Sequence, residues 1–245
     1  MRGNFERAVR LKYGITFLVM AVLACAASAL SAAWVTRALL LWVALALLIV
    51  AIAYLTNSPR LLFKKDNGTR EWWSWLLLWP YYLLAWLSFW SHFLTNRRAA
   101  SSEIAAGLWL SRRLSAREAR SANIGWRAIL DLACEFPRTP LEGCEYLSLP
   151  VLDGTAPTLE QMSIAVDYIN RGRDRGPVLL HCALGHGRSA TIAVAWLLNC
   201  GIAESVEDGI AQVRKVRPGV GLNAKQISQL NEFLAQNAQL GQMGK

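Results

Sequence analysis

Between Val178 and Ala190 the chain reads Val-Leu-Leu-His-Cys-Ala-Leu-Gly-His-Gly-Arg-Ser-Ala, an apolar strand that enters a glycine-bearing turn and leaves it as a helix. Cys182 and Arg188 stand at the two ends of the turn with five residues between them. Gly185 and Gly187 let the backbone curl, so that N–H groups from Ala183, Leu184, Gly185, His186, Gly187 and Arg188 point at one anion. The helix opening near Arg188 adds its positive end to the same spot. Beside a guanidinium and a helix N-terminus, a cysteine is expected to lose its proton readily. The stretch therefore predicts a phosphate-binding loop with a nucleophile at its mouth, suited to attack on a phosphate ester.

With 245 residues there is room for one such domain and something more. Ile15 to Val35 is a run of 21 residues without charge, and Ala38 to Leu55 adds 18 more after the short Thr36-Arg37 turn. The first run exceeds the roughly 7–15 residues of a signal-peptide core and another follows at once, which predicts a retained transmembrane hairpin. Residues 1–94 carry +6 of the net charge of +9, around these apolar segments, where lipid headgroups are a better counterpart than nucleic acid. No nucleic-acid partner is expected. Arg2, Arg7, Arg10 and Lys12 before the hairpin, and Arg60, Lys64, Lys65 and Arg70 after it, place both flanks on the cytoplasmic side, with Arg37 alone outside.

Trp72 to Leu94 reads in two ways. It is 23 residues without a formal charge, and it holds Pro80, six of the eleven tryptophans and basic residues on both sides, Arg70 before it and Arg97 and Arg98 after it. Length favours a third span; the aromatic content favours an interfacial or re-entrant helix pair broken near Pro80. The second reading keeps the cysteine loop in the reducing cytoplasm. The five cysteines, Cys25, Cys134, Cys144, Cys182 and Cys200, show no paired short spacing, and neither a disulfide framework nor a metal site follows from them.

From Ser101 onward, short apolar runs alternate with amphipathic stretches, the pattern of an α/β domain. Strands are expected at Gly107 to Leu110, Trp126 to Leu132, Cys144 to Leu149 and Pro177 to His181. Helices are expected at Ala116 to Ala122, Thr158 to Arg171, Arg188 to Cys200, Ser205 to Val216 and Asn223 to Asn237. A membrane region of residues 1–98 and a catalytic domain of residues 99–245 follow.

Each candidate residue also has a bland reading. Arg188 is a bidentate phosphate clamp or a surface arginine, and the adjoining Cys182 and glycines favour the clamp. His181 orients the loop and tunes the thiolate, or is a satisfied histidine at a strand end. Ser189 bonds the cysteine sulfur, caps the helix, or does both. His186 sits at the exposed crown. Cleaving an ester also needs an acid for the departing oxygen. Asp153, in the loop Pro150 to Pro157, is the candidate, on a segment able to move as a lid. Asp131, Asp167 and Asp174 are poorer ones, in an expected strand, a helix and a charged helix end.

The run His181-Cys182 through Arg188-Ser189 resembles the signature of the cysteine-dependent protein tyrosine phosphatases, and residues 104 to 233 look like the dual-specificity branch. The likeness includes the Leu-x-Leu first strand, the Tyr146 to Pro150 strand, Asp153 in an Asp-x-x-Ala-Pro setting, and Arg217-Pro218 ahead of Asn223. It implies a central mixed sheet flanked by helices and chemistry without a metal or other cofactor. Cys182 would attack phosphorus, Arg188 and the loop amides would hold the equatorial oxygens, and Asp153 would protonate the leaving group and then activate water. Lipid phosphatases that take highly charged inositol headgroups carry loop lysines; positions 183, 184 and 186 here are Ala, Leu and His. A phospholipid monophosphate similar to phosphatidylglycerophosphate is therefore the expected substrate. A dual-specificity protein phosphatase and a non-catalytic phosphate-binding scaffold are the alternatives. Basic clusters at Arg112-Arg113-Arg117-Arg120, Arg171-Arg173-Arg175 and Arg214-Lys215-Arg217 read either as contacts for headgroups of the bilayer or as solvated faces.

Overall fold

A computed structural model describes residues 3–95, 99–139 and 141–243. Arg2, Arg97 and Arg98, named above for their charge, lie outside the described residues. The chain forms two compact units: Met1–Lys65, Thr69–Arg97 and Cys134–Pro137 make one, and Asp66–Gly68, Arg98–Ala133 and Arg138–Lys245 make the other.

In the first unit α1 (Gly3–Leu30) and α2 (Trp34–Leu55) form a hairpin, followed by a 3₁₀ turn (Pro59–Leu62) and α3 (Trp72–Thr95). Gly14 of α1 lies against Leu55 at the far end of α2, so the pair is antiparallel. The turn between them falls at residues 31–33, not at Thr36-Arg37. Arg37 lies inside α2 and its guanidinium donates 2.9 Å to the Ser31 carbonyl. A charge had marked the boundary in the sequence, but arginine is a good helix former and need not end one. Of the two readings of Trp72 to Leu94, the helix pair broken near Pro80 is not formed: α3 is one helix of 24 residues with Pro80 inside it. Trp42 Nε1 on α2 donates 2.9 Å to the Leu76 carbonyl of α3, and Phe17 of α1 packs edge-on against Tyr81. Val9–Leu30 and Trp34–Leu55 are long and apolar enough to cross a membrane. The outward faces are apolar too, with Leu23, Leu39, Leu76 and Trp79 among the exposed residues.

The second unit is built on a five-stranded mixed sheet in the order β1-β2-β5-β3-β4. Its strands are β1 (Ser101–Ala105), β2 (Leu108–Ser111), β3 (Ala128–Ala133), β4 (Glu145–Val151) and β5 (Val178–His181). Only β1 runs antiparallel, paired with β2; the others are parallel. Side chains alternate across the sheet. Leu108, Leu110, Ala128, Leu130, Val178 and Leu180 face the main core, whereas Ile129 and Leu179 join Leu114, Ala119 and Trp126 on the other face. The main core is closed by α5 (Leu159–Arg173), α6 (Arg188–Asn199), α7 (Val206–Val216) and α8 (Ala224–Met243). The short α4 (Ala116–Ser121) covers the second face, started by a reciprocal Ser115/Glu118 capping box. With all four residues buried, β5 is the central strand that its unbroken apolar run implied. Its carboxyl end delivers His181 and Cys182 to the amino end of α6, where parallel sheets place their ligands.

Candidate active site

Residues 182–187 form the loop between β5 and α6, and its shape is set by where its carbonyls go. The Ala183 carbonyl accepts from Arg113 N at 2.9 Å and the Leu184 carbonyl from Arg217 Nη2 at 3.2 Å. The Gly185 carbonyl accepts from Arg217 Nε at 2.9 Å and the His186 carbonyl from Gly221 N at 3.1 Å. Within a planar trans peptide the C=O of one residue and the N–H of the next point in opposite directions. Four carbonyls held from outside therefore turn the N–H groups of residues 184–187 inward. Gly185 N accordingly donates to Cys182 Sγ at 3.3 Å, and Ser189 Oγ donates to the same sulfur at 3.2 Å. Gly185 has φ +71°, and a Cβ there would lie 2.4 Å from the Ser111 carbonyl oxygen, so turn and packing both require glycine. Gly187 differs: it caps α6 with φ −113° and lies under the Gln226 amide. That assigns the cap to Gly187 and leaves Ser189 with the sulfur contact alone of its two expected roles.

Arg188 is buried, 2% exposed. Its Nη1 donates 2.9 Å to the Val151 carbonyl and its Nη2 lies 3.0 Å from Asp153 Oδ1. Asp153 is 62% exposed, at the rim. The backbone around it is braced: the Gly154 carbonyl accepts from Asn223 Nδ2 at 2.8 Å and the Thr155 carbonyl from Gln226 Nε2 at 3.0 Å. The acid candidate thus arrives on a segment pinned by the start of α8.

Behind the loop His181 is fully buried, with Nδ1 3.1 Å from the Cys182 carbonyl and Nε2 3.5 Å from Thr139 Oγ1. Its ring reaches the backbone of the nucleophile position. Asp131, also fully buried, has Oδ1 3.6 Å from His181 Nδ1 and accepts from the Tyr146 hydroxyl and from Ala133 N. Burial and the Asp131 carboxylate together push the Tyr146 phenol far up, while burial pulls Arg113 down against the pull of Asp131.

Cys182, Arg188, Asp153, Ser189 and His181 thus converge, with the amides of Leu184, Gly185, His186 and Gly187. The side chain of His186 is half-buried, where an exposed crown had been expected. Sequence reasoning assigned no site role to Arg217, Asn223 and Gln226; the Arg217-Pro218 and Asn223 pattern was their only signal. Arg113 and Arg217 are buried, so neither serves as a headgroup contact. Asp167 and Asp174 lie in and at the end of α5. Among the described residues no three His, Cys, Asp or Glu converge on a metal position, and no disulfide joins any of the five cysteines.

A family model for the dual specificity phosphatase catalytic domain matches residues 108–236. Human dual specificity protein phosphatase 22 is 28% identical over 134 residues, 54% of this chain and 72% of that protein. The rat phosphatidylglycerophosphatase and protein-tyrosine phosphatase 1 is 32% identical over 93 residues, 37% of this chain and 48% of that protein. The chain spans 23% of a probable dual specificity protein phosphatase from Dictyostelium discoideum, at 33% identity over 92 residues. Among solved structures, Tk-PTP in its active form is 31% identical, covers 56% of this chain and 97% of its own, and superposes with a TM-score of 0.51. With a family match over more than half of its length, the chain belongs to the dual specificity phosphatases and carries their cysteine-based catalytic domain.

Proposed function

We propose that this chain is a membrane-anchored phosphatase that hydrolyses a phospholipid monophosphate, similar to phosphatidylglycerophosphate, through a phosphocysteine intermediate. The observation that carries the chemistry is the sulfur of Cys182 at the base of an inward-facing ring of amides, with the Arg188–Asp153 pair at its rim. The Cys182 thiolate attacks phosphorus; the S–P bond forms as the ester P–O bond breaks, and Asp153 gives its proton to the departing alkoxide. Arg188 and the loop amides hold the equatorial oxygens. Water then attacks phosphorus and returns a proton to Asp153, and the sulfur leaves with the Ser189 hydroxyl as its donor.

For the lipid, support comes from Ala183, Leu184 and His186 in the loop, where a highly charged headgroup would call for lysines. Two apolar helices with outward-facing leucines, together with the name of the rat relative, point the same way. An even pair of spans with basic flanks leaves the domain on the cytoplasmic side, with the tryptophan-rich α3 lying along the interface. Reporters fused in the catalytic unit that are active only outside the cytoplasm would refute this placement.

Initial rates of the full chain on vesicles bearing phosphatidylglycerophosphate, set against phosphotyrosine and phosphothreonine peptides, decide the substrate. Faster turnover of the lipid is expected. Equal or faster turnover of the peptides would assign a protein substrate, the reading favoured by the longer match to human dual specificity protein phosphatase 22. Release of phosphate from neither, nor from an aryl phosphate, would leave a binding scaffold.

A further inference from the structure

Three successive carbonyls of the phosphate loop, those of Leu184, Gly185 and His186, are all held by one short segment, the turn 217–221 between α7 and α8. Arg217 takes the first two and Gly221 N the third. The turn has its own supports. Arg217 is the C-cap of α7 with non-helical φ −134° and ψ 83°, and Pro218 after it cannot continue the helix. The Arg217 carbonyl accepts from Val220 N at 3.0 Å, and Arg214 Nε donates 3.0 Å to the Val220 carbonyl. The Arg217 side chain is buried, and its remaining fork nitrogen, Nη1, donates 3.1 Å to the carbonyl of Ala99, just ahead of β1.

A planar fork bonded to two adjacent carbonyls fixes two peptide planes at once, which the single ammonium of a lysine cannot reproduce. Those planes carry the N–H groups of Gly185 and His186 on their inner side. We infer that Arg217 is a positioning residue: it does not touch substrate, but by holding the Leu184 and Gly185 carbonyls outward it pre-aims loop amides at the phosphoryl oxygens. This rests on the reading of the loop as the phosphoryl site. Without the fork both peptides are free to rotate, and the amides must be ordered when the anion arrives, weakening anion binding and slowing attack together.

The test uses the full-length protein and orthovanadate as the probe, with its dissociation constant measured directly and kcat and KM taken on an aryl phosphate. Arg217→Gln and Arg217→Lys are each expected to weaken vanadate binding and lower kcat, about tenfold or more for Gln and a few-fold for Lys. Lysine keeps the charge and not the fork, so full rescue by Arg217→Lys would overturn the inference. Vanadate affinity of folded Arg217→Gln equal to wild type, with only a lower melting temperature, would overturn it too, since that is the mark of a merely structural contact. Should the Gln variant fail to fold, the Lys variant carries the test alone, and unchanged vanadate affinity in it is decisive against. Wild-type protein that binds no vanadate would instead defeat the underlying reading of the site.

Discussion

Cys182 and Arg188 matter because of what surrounds them, and single substitutions separate the parts. Cys182→Ser keeps a small polar group but replaces the thiolate by a hydroxyl that has no base to activate it. Phosphate release from an aryl phosphate should fall to the uncatalysed level while the melting temperature holds. Asp153→Asn removes the proton donor and leaves the shape, and kcat should drop by about 10²–10⁴. The loss should be greatest for alkyl esters, whose leaving groups need protonation most, and a loss independent of the leaving group would remove Asp153 from that role. Cys182, Arg188 and Ser189 could be read from the sequence because one turn holds them contiguously. Arg217 and Gln226 could not, because their partners are backbone carbonyls 32 and 71 residues away, and no spacing rule encodes a bond to a peptide oxygen.

Elements tell a similar story. β5 and α6 were legible since a strand buried on both faces is an unbroken apolar run and a helix start follows the glycines. β1 was not: it is an edge strand with no fully buried residue, so it lacks the alternation that marks a half-buried strand. The register of the loop against the end of β2 is tested by Gly185→Ala, whose Cβ would meet the Ser111 carbonyl and which must hold φ +71°. A stability loss of about 1–3 kcal/mol in denaturant unfolding is expected, with activity falling further. At α4, the hydrogen bond from Arg112, with further bonds from Ser115, holds the Glu118 carboxyl down at about 2 from an ordinary 4.5. A depressed acid contributes stability above its unfolded value and loses it as pH falls from about 4.5 toward 2. The pair is partly exposed and screened, so the contribution is on the order of 1 kcal/mol. Glu118→Gln should therefore be less stable than wild type at pH 7, and the difference should shrink through that acid window in urea titrations.

At the scale of the molecule, the sequence was most informative where physics is simplest. Charge-free runs of about 20 residues announced the helices of the first unit, and apolar patterning announced the sheet of the second. The hairpin turn is displaced by several residues from the charge that suggested it, and of the two readings of Trp72 to Leu94 the one broken near Pro80 is not formed, since α3 runs through it. The apolar exterior of α1 and α2 predicts that the full chain stays with membranes through high-salt and alkaline washing and is released by detergent. Recovery in the aqueous fraction would contradict the anchor. The chemistry at the centre is tested most directly by trapping the intermediate. The Ser189 hydroxyl donates to the sulfur that must leave in the second step, so Ser189→Ala should slow that step more than the first. Acid quench of this variant during turnover of an aryl phosphate, followed by peptide mass spectrometry, should find phosphate bound to Cys182 and a burst of released phenol of about one equivalent. Continued turnover with no phosphate on Cys182, or with phosphate on another residue, would contradict the phosphocysteine mechanism.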